Sequence, residues 1–343
     1  QSWLLLRGFM IFFYVAHHSE LKEGSLFVIV WILLGQGVFQ SLVGLAQWSI
    51  GGPVGLKILG EPEIVRQQVL NIQTVFRVTG TFPSDNMVWF MYMDLILPVL
   101  FALVISRTVS GLKKTVLFPA MMFIFFVSSL SFTRMGWVCF AMAASIILVF
   151  TLLREKFHPV MLLKTFVIVV VFFILISVIW EYVVARFESY DLGSAAMRIP
   201  LMQNAWNIIS THPLLGIGAG NYILVMYLFD VSDQGIASFF LYPVHNLYLF
   251  VAAEMGIFSL IAFLAFLARI LAAAWRECEK RSDSLKNAML LGFFAGLCAF
   301  AVHGQIESMA LGRLTMLWFV SGIIMNLCLK RKELETVGSD THI

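Results

Sequence analysis

The sequence predicts an all-α, polytopic integral membrane protein, with about nine transmembrane segments and a large extracytoplasmic loop containing an amphipathic helix. Three observations predict it. Of the 343 residues, 60% are hydrophobic and only 13% are charged, against about 45–50% and about 25% in an ordinary soluble domain. A chain so poor in polar groups cannot cover a water-exposed surface of this size. Its apolar residues also fall into runs long enough for a helix to cross a bilayer. Finally, short basic connections alternate with longer ones that are thin in basic residues, as expected when the short ones are cytoplasmic.

The runs come in order. Trp3–Val15 is short and holds Arg7, and the chain opens on Gln1 inside it, so a helix whose start is missing is expected. Leu26–Ile50 is the first full span, with Gln36, Gln40 and Gln47 along one face. Amides in lipid need partners, so this face is expected to turn toward the bundle. Residues 51–86 form a first outer loop. Met87–Ile105, Val116–Phe132, Gly136–Leu153 and Val160–Trp180 follow as spans. The large outer loop, 181–245, holds an amphipathic helix over Ser194–Ile209, ended by His212-Pro213, and a short apolar run at Tyr222–Phe229. Its aromatic residues, Phe187, Tyr190, Trp206, Tyr222 and Tyr227, argue for a folded cover rather than a disordered tail. Asn246–Trp275, Ala288–Val302 and Leu311–Leu329 complete the set. The whole, 1–343, reads as one transmembrane domain, incomplete at its N-terminus.

Net charge is +3, and its distribution says more than its size. Lys22, then Arg107, Lys113 and Lys114, then Arg154, Lys156 and Lys164, then Arg276, Lys280, Arg281 and Lys286, and last Lys330, Arg331 and Lys332 mark the inner side. Both long polar loops are then outside. The four cysteines, Cys139, Cys278, Cys298 and Cys328, have neither metal-site nor disulfide spacing and read as apolar filler. Asp85, Asp191, Asp230 and Asp233 have the chemistry of a cation site, but nothing in the sequence brings them together.

The chemistry gathers on the outer face. Arg77 precedes a span in RVTGTFPSDN, Arg134 occupies a very short turn in SSLSFTRMGW, Arg198 lies on the loop helix, and Arg313 opens the final span. Guanidinium groups at headgroup depth bind phosphates through forked, charge-assisted hydrogen bonds. Snorkelling to ordinary headgroups accounts for any one of them equally. His245, in VHNLYLFVAAEMG, is placed to take a proton from a hydroxyl or else to cap its helix. Asn246 beside it suits orienting the ring or capping. Glu254 is about two and a half turns farther in, off the His245 face, and should find a polar partner inside the protein. The glycines of THPLLGIGAGNY, 211–222, allow a close backbone approach to a ligand or a helix, an anion nest, or a plain turn. His17, His18, His158, His303 and His342 rank lower; His303 near Glu307 reads as a structural hydrogen-bonding group.

THPLLGIGAGNY followed by VHNLYLFVAAEMGIFSLIAFL resembles the signature of the O-antigen ligase/polymerase superfamily. RVTGTFPSDN, the Ser131–Arg134 spacing and Arg198 fit its upstream part, so the resemblance spans roughly 70–325. It implies a metal-independent, inverting glycosyltransferase of the plasma membrane, working at the outer face of a bacterial inner membrane without a cofactor. Its donor would be a polyprenyl-diphosphate-linked glycan, and its acceptor a growing glycan, a lipid A-core or a protein. Arg134 and Arg198 would hold the diphosphate with help from Arg77, and His245 would activate the acceptor; Arg313 and Asn246 are added as substrate-binding residues. Membrane lipids are expected partners and nucleic acid is not. A transporter or flippase of lipid-linked glycans is the rival; it would favour broken helices, internal repeats or a path of ionisable groups through the bilayer.

Overall fold

The computed structural model describes residues 2–18, 21–63, 67–70, 73–82, 86–155, 159–188, 194–232, 235–280, 284–307 and 311–340. Asp85, His158, Tyr190, Asp191, Asp233 and His342 lie outside them. Thirteen helices occur among the described residues: α1 Ser2–His17, α2 Glu23–Ile50, α3 Asn86–Ile105, α4 Gly111–Ser129, α5 Arg134–Glu155, α6 Pro159–Val178, α7 Trp180–Glu188, α8 Ser194–Thr211, α9 Tyr222–Val225, α10 Ile236–Phe239, α11 Leu247–Glu279, α12 Leu285–His303 and α13 Thr315–Asp340.

Five are long and apolar enough to cross a membrane: α2, α4, α5, α11 and α12. Shorter apolar stretches, Ser2–His17, Trp89–Ile105, Leu162–Val178 and Thr315–Leu329, coincide with the other expected spans. The all-helical class is met, with one local exception. It lies in the 51–86 segment, where β1, Gln67–Leu70, pairs antiparallel with β2, Gln73–Phe76. Val69, Thr74 and Val75 there are β-branched, and such residues favour extended backbone. At the start of the large loop, helix resumes after one turn residue and α7 runs to Glu188.

The chain forms two compact units. The bundle unit comprises Ser19–Ser189, Ala274–Phe300 and Leu327–Ile343. Its centre is α3, whose side chains from Trp89 to Ile105 are all buried. Gly292 and Gly296, four apart on α12, let that helix ride directly on α3; a Cβ at Gly292 would lie 2.5 Å from the Val99 Cα. Small residues at this spacing are how helices approach closely in lipid. Asp94, also buried, is the carboxylate on α3 that the sequence reading passed over, although an acid inside an apolar run is a clear signal.

The glutamine face of α2 turns inward as expected for Gln40 and Gln47, but Gln36 is exposed. Gln40 donates to the Thr81 hydroxyl at 2.7 Å and accepts from the Thr81 N–H at 2.9 Å. Gln47 donates to Glu61 (2.7 Å) and to the Gly80 carbonyl (2.9 Å), and accepts from the N–H groups of Thr79 (3.1 Å) and Gly80 (3.0 Å). Glu61 also accepts from the backbone N–H groups of Val54, Gly55 and Leu56 at 2.5–2.8 Å. Burial alone would raise its carboxyl, but these hydrogen bonds outweigh burial and hold it below the usual carboxylate range. Gln47 thus ties α2 to both Glu61 and the Thr79–Gly80 backbone. Gln47→Leu should strand several buried polar groups at about 1–3 kcal/mol each. The expected result is a clearly lower melting temperature in detergent, and an unchanged one would show the network to be dispensable.

The loop-bearing unit comprises Gln1–His18, Tyr190–Ala273 and Ala301–Asn326. Arg7 donates to the Thr315 hydroxyl at 2.9 Å, and Asn326 donates to the carbonyls of Val15 and His18 at 3.0 and 3.1 Å. These contacts at both ends make α1 and α13 parallel neighbours. In the large loop, α8 packs Leu201, Ala205 and Ile208 against Tyr222, Met226, Ile236, Ala237 and Val244, with Phe250 and Ala253 of α11 beneath. Asn204 and Asn207 of α8 donate to the carbonyls of Met226 and Phe229 at 2.8 and 3.1 Å. The aromatic loop is therefore a folded layer with a core of its own.

Candidate functional site

The predicted site residues fall into two groups, one in each unit. In the bundle unit, α4 ends at Ser129 and α5 begins at Arg134, so the turn between them is four residues long. Phe132 in this turn has φ 52°, a left-handed conformation uncommon for a bulky side chain. It is fully buried and packs on Trp48 and Tyr182, with ring centroids 5.7 and 6.3 Å away. Such packing offsets the backbone cost, which is of order 1–3 kcal/mol. Arg77 is buried against the same turn: its Nε donates to the Ser131 carbonyl at 2.7 Å, and its Nη2 to the Thr133 hydroxyl at 3.3 Å. The structure therefore brings Arg77 to the turn that carries Arg134. Arg77 is a buried brace rather than a snorkelling group. Arg134 is partly exposed at the first position of α5, where backbone N–H groups lack intrahelical partners and favour anions.

In the loop-bearing unit, His245 and Asn246 stand at the mouth of α11. The Asn246 side-chain oxygen accepts from the N–H groups of Tyr248 and Leu249, both at 3.0 Å, which makes it the helix cap. Its amide nitrogen donates to the Gln305 carbonyl at 3.1 Å. Leu247 N–H donates to the Gly304 carbonyl at 2.7 Å, and the Tyr248 hydroxyl to the Ala301 carbonyl at 2.6 Å. Two residues along, Glu307 is buried, and its carboxylate lies 3.7 Å from the Arg198 guanidinium of α8. Segment 304–307 thus joins the His245–Asn246 corner to Arg198. The Arg198 Nε is shielded and has no hydrogen-bond partner among the described residues. Glu307 was missed as a partner of Arg198; its only sequence signal was an acid at the outer end of a span. Arg313 is exposed on the short turn Leu311–Arg313. That turn packs on α1.

The two sequence motifs meet in one joint. Helix α11 is broken at Gly256, with φ 80° and ψ 173°. The glycine-rich turn after α8 fills the break. Ile217 and Gly218 N–H groups donate to the freed carbonyls of Ala253 and Glu254 at 3.1 and 2.8 Å, and Ile257 N–H donates to the Pro213 carbonyl at 2.8 Å. A Cβ at Gly216 would sit 2.5 Å from the Glu254 backbone. The Glu254 carboxylate accepts from the N–H groups of Gly220 and, at 3.3 Å, Tyr222. The glycines therefore serve a helix approach, and the nest they form is occupied by this chain's own carboxylate. Glu254 has the interior polar partner expected of it.

Asp230 likewise has a local role. It accepts from the Ser232 N–H and hydroxyl at 2.9 and 2.6 Å and from the Ala237 N–H at 2.6 Å. Its partial burial raises the carboxyl, and these bonds outweigh that and lower it.

Comparison with protein families adds one finding. The O-antigen ligase family model matches residues 119–264. That match supports the O-antigen ligase/polymerase superfamily for this chain. None of the curated proteins matches it. The O-antigen ligase segment contains Arg134, Arg198, His245 and Asn246, together with both halves of the glycine joint, whereas Arg77 and Arg313 fall outside it. The O-antigen ligase family implies a glycosyltransferase-type enzyme that handles a lipid-linked glycan and an acceptor, and with the apolar helices it suggests a multi-pass membrane protein.

Proposed function

We propose that the chain crosses the plasma membrane about nine times and transfers a glycan from a polyprenyl-diphosphate carrier to an acceptor hydroxyl at the outer face. The observation that carries this reading is Arg198, a guanidinium whose shielded Nε has no hydrogen-bond partner among the described residues, tied through Glu307 and segment 304–307 to the His245 corner within one unit. A diphosphate supplies the acceptor oxygens that such a group lacks. Arg198 binds the diphosphate beside the His245 corner, and Arg134, on the turn that Arg77 holds in place, is a further phosphate-binding group. His245 takes the acceptor proton as the hydroxyl attacks the anomeric carbon from the side opposite the leaving group. The glycosyl–phosphate bond breaks with inversion, and the arginines stabilise the charge growing on the departing diphosphate. No metal ion is required for this role. Asn246 positions His245 by capping α11, and Arg313 contributes to headgroup binding nearby.

The break in α11 is the one feature that favours the transporter reading. Its freed backbone groups and the Glu254 carboxylate are taken up by the glycine turn, so they do not form an open path for an ion. Vesicles containing the purified protein and a polyprenyl-diphosphate-linked glycan decide between the two. Wild type should consume donor and lengthen or modify the acceptor, with no loss on adding a chelator, and His245→Ala should fall to background. Donor that changes leaflet without being consumed would establish transport instead. Glycan length in a deletion strain then separates the acceptors: intact but unattached lipid-linked polymer means ligase, and single repeats mean polymerase.

A further inference from the structure

The turn that fills the α11 break sits deeper than its place in a polar loop suggests. The Pro213 carbonyl is bonded to Ile257 N–H, and a Cβ at Gly256 would run into the Leu214 carbonyl, so Pro213–Leu215 is fixed at the level of residues 256–257. Two gauges locate that level, given the orientation proposed above. Arg276 and the exposed Arg269 mark the inner end of α11. About 20 residues span the hydrocarbon; counted outward from Arg276 they reach Gly256, and from Arg269 they reach Leu249. The second gauge is α12, which measures about 26 Å from Lys286 to His303, close to the hydrocarbon thickness. Leu247 is bonded to the next residue, Gly304, so it lies near the outer edge, and Gly256 is up to about 14 Å farther in. Both gauges set the tip at or below the outer edge of the hydrocarbon.

The tip has the chemistry for that place. Leu214 and Leu215 are 56% and 81% exposed. Below them Phe258, Ile261 and Leu264 continue an exposed apolar stripe down α11, and behind them Thr211 and His212 are exposed and polar. Irregular backbone at membrane depth must find its hydrogen bonds within the protein. The flanks of the tip meet this condition in part: proline has no N–H, its carbonyl is taken by Ile257, and the N–H groups just after the tip, of Gly216, Ile217 and Gly218, donate to His212, Ala253 and Glu254 carbonyls. We propose that Pro213–Leu215 is a re-entrant tip whose two leucines lie among the acyl chains of the outer leaflet, pinning the α11 break at a set depth below His245.

A nitroxide at Leu215→Cys, in a full-length chain with Cys139, Cys278, Cys298 and Cys328 replaced by alanine, tests this in phosphatidylcholine–phosphatidylglycerol vesicles. Ile261→Cys gives the lipid reference and Ser238→Cys, on the exposed α10 surface, the water reference. The label at 215 should collide with oxygen more than with the water-soluble nickel chelate, as at 261. Collision dominated by the chelate, as at 238, overturns the proposal, and so does low collision with both, which means cover by protein. If the cysteine-free chain does not fold, p-benzoylphenylalanine at 215 in the otherwise native chain replaces it. Phospholipid adducts after irradiation support the tip, whereas adducts to a second copy, or none, overturn it. Both readouts report depth and not turnover, so a lipid-buried tip in a chain without transferase activity is told apart from a wet tip in an active one.

Discussion

Replacing Arg198 by alanine is expected to abolish glycan transfer while the protein still accumulates in the membrane. The guanidinium is only partly buried and lies at the N-terminal end of α8, whereas the residues that hold α8 down are Leu201, Asn204, Ala205 and Ile208. Removing it leaves that packing intact, so the loss belongs to chemistry. Withdrawing one well-aimed group that stabilises transition-state charge costs on the order of 10²–10³ in kcat. Arg198→Lys should recover little, because an ammonium cannot reproduce the planar fork. Glu307→Gln separates positioning from binding: it keeps the shape and removes the competing charge. Donor KM is expected to shift about tenfold, a coupling of ~1.4 kcal/mol, while the arginine variants lose kcat. The measurement is initial rate against lipid-linked donor, with the membrane level checked by immunoblot. Wild-type rates in Arg198→Ala would remove Arg198 from the mechanism.

The largest stability effect should come from Gly256→Ala. At φ 80° and ψ 173° the backbone is in a region open essentially to glycine alone, and the new methyl group would be driven into the Leu214 carbonyl. Neither side can give without breaking the bonds that Pro213, Ile217 and Gly218 make to α11. A loss of about 3–5 kcal/mol is expected, from strain and stranded backbone groups together. Gly35→Ala is the control: nothing lies within 4 Å of its added Cβ, and it sits inside helix α2. It should be neutral or slightly stabilising. Thermal unfolding in detergent reads both, and equal melting temperatures would show that the joint does not hold the unit together.

Much of this was legible because bilayer physics writes itself into sequence. Long apolar runs, a basic inner side and an aromatic outer loop are local or additive signals, and the helices stand close to where those signals put them. Gln47 was flagged because an amide in lipid must find a partner. The exceptions have equally local causes. The β1–β2 hairpin occupies eight described residues in a stretch with no apolar run to mark it. Gln36 shares the face of Gln40 and Gln47 by spacing, but spacing cannot say where a neighbouring segment ends.

The candidate site was legible as residue types, not as partnerships. Arg77, Arg134, Arg198 and His245 stand out in sequence because charged groups near a span end are costly unless used. The sequence could not say that Arg77 is bonded to the Arg134 turn, that Glu307 faces Arg198, or that the glycine motif closes around a break in α11. Each of those contacts joins residues tens to more than a hundred positions apart. By itself, then, the sequence determined a multi-pass membrane protein with the marks of the O-antigen ligase family. Tertiary structure alone decided which carboxylate fills the nest and which arginine is a brace, because a buried polar group takes the partner that packing brings to it.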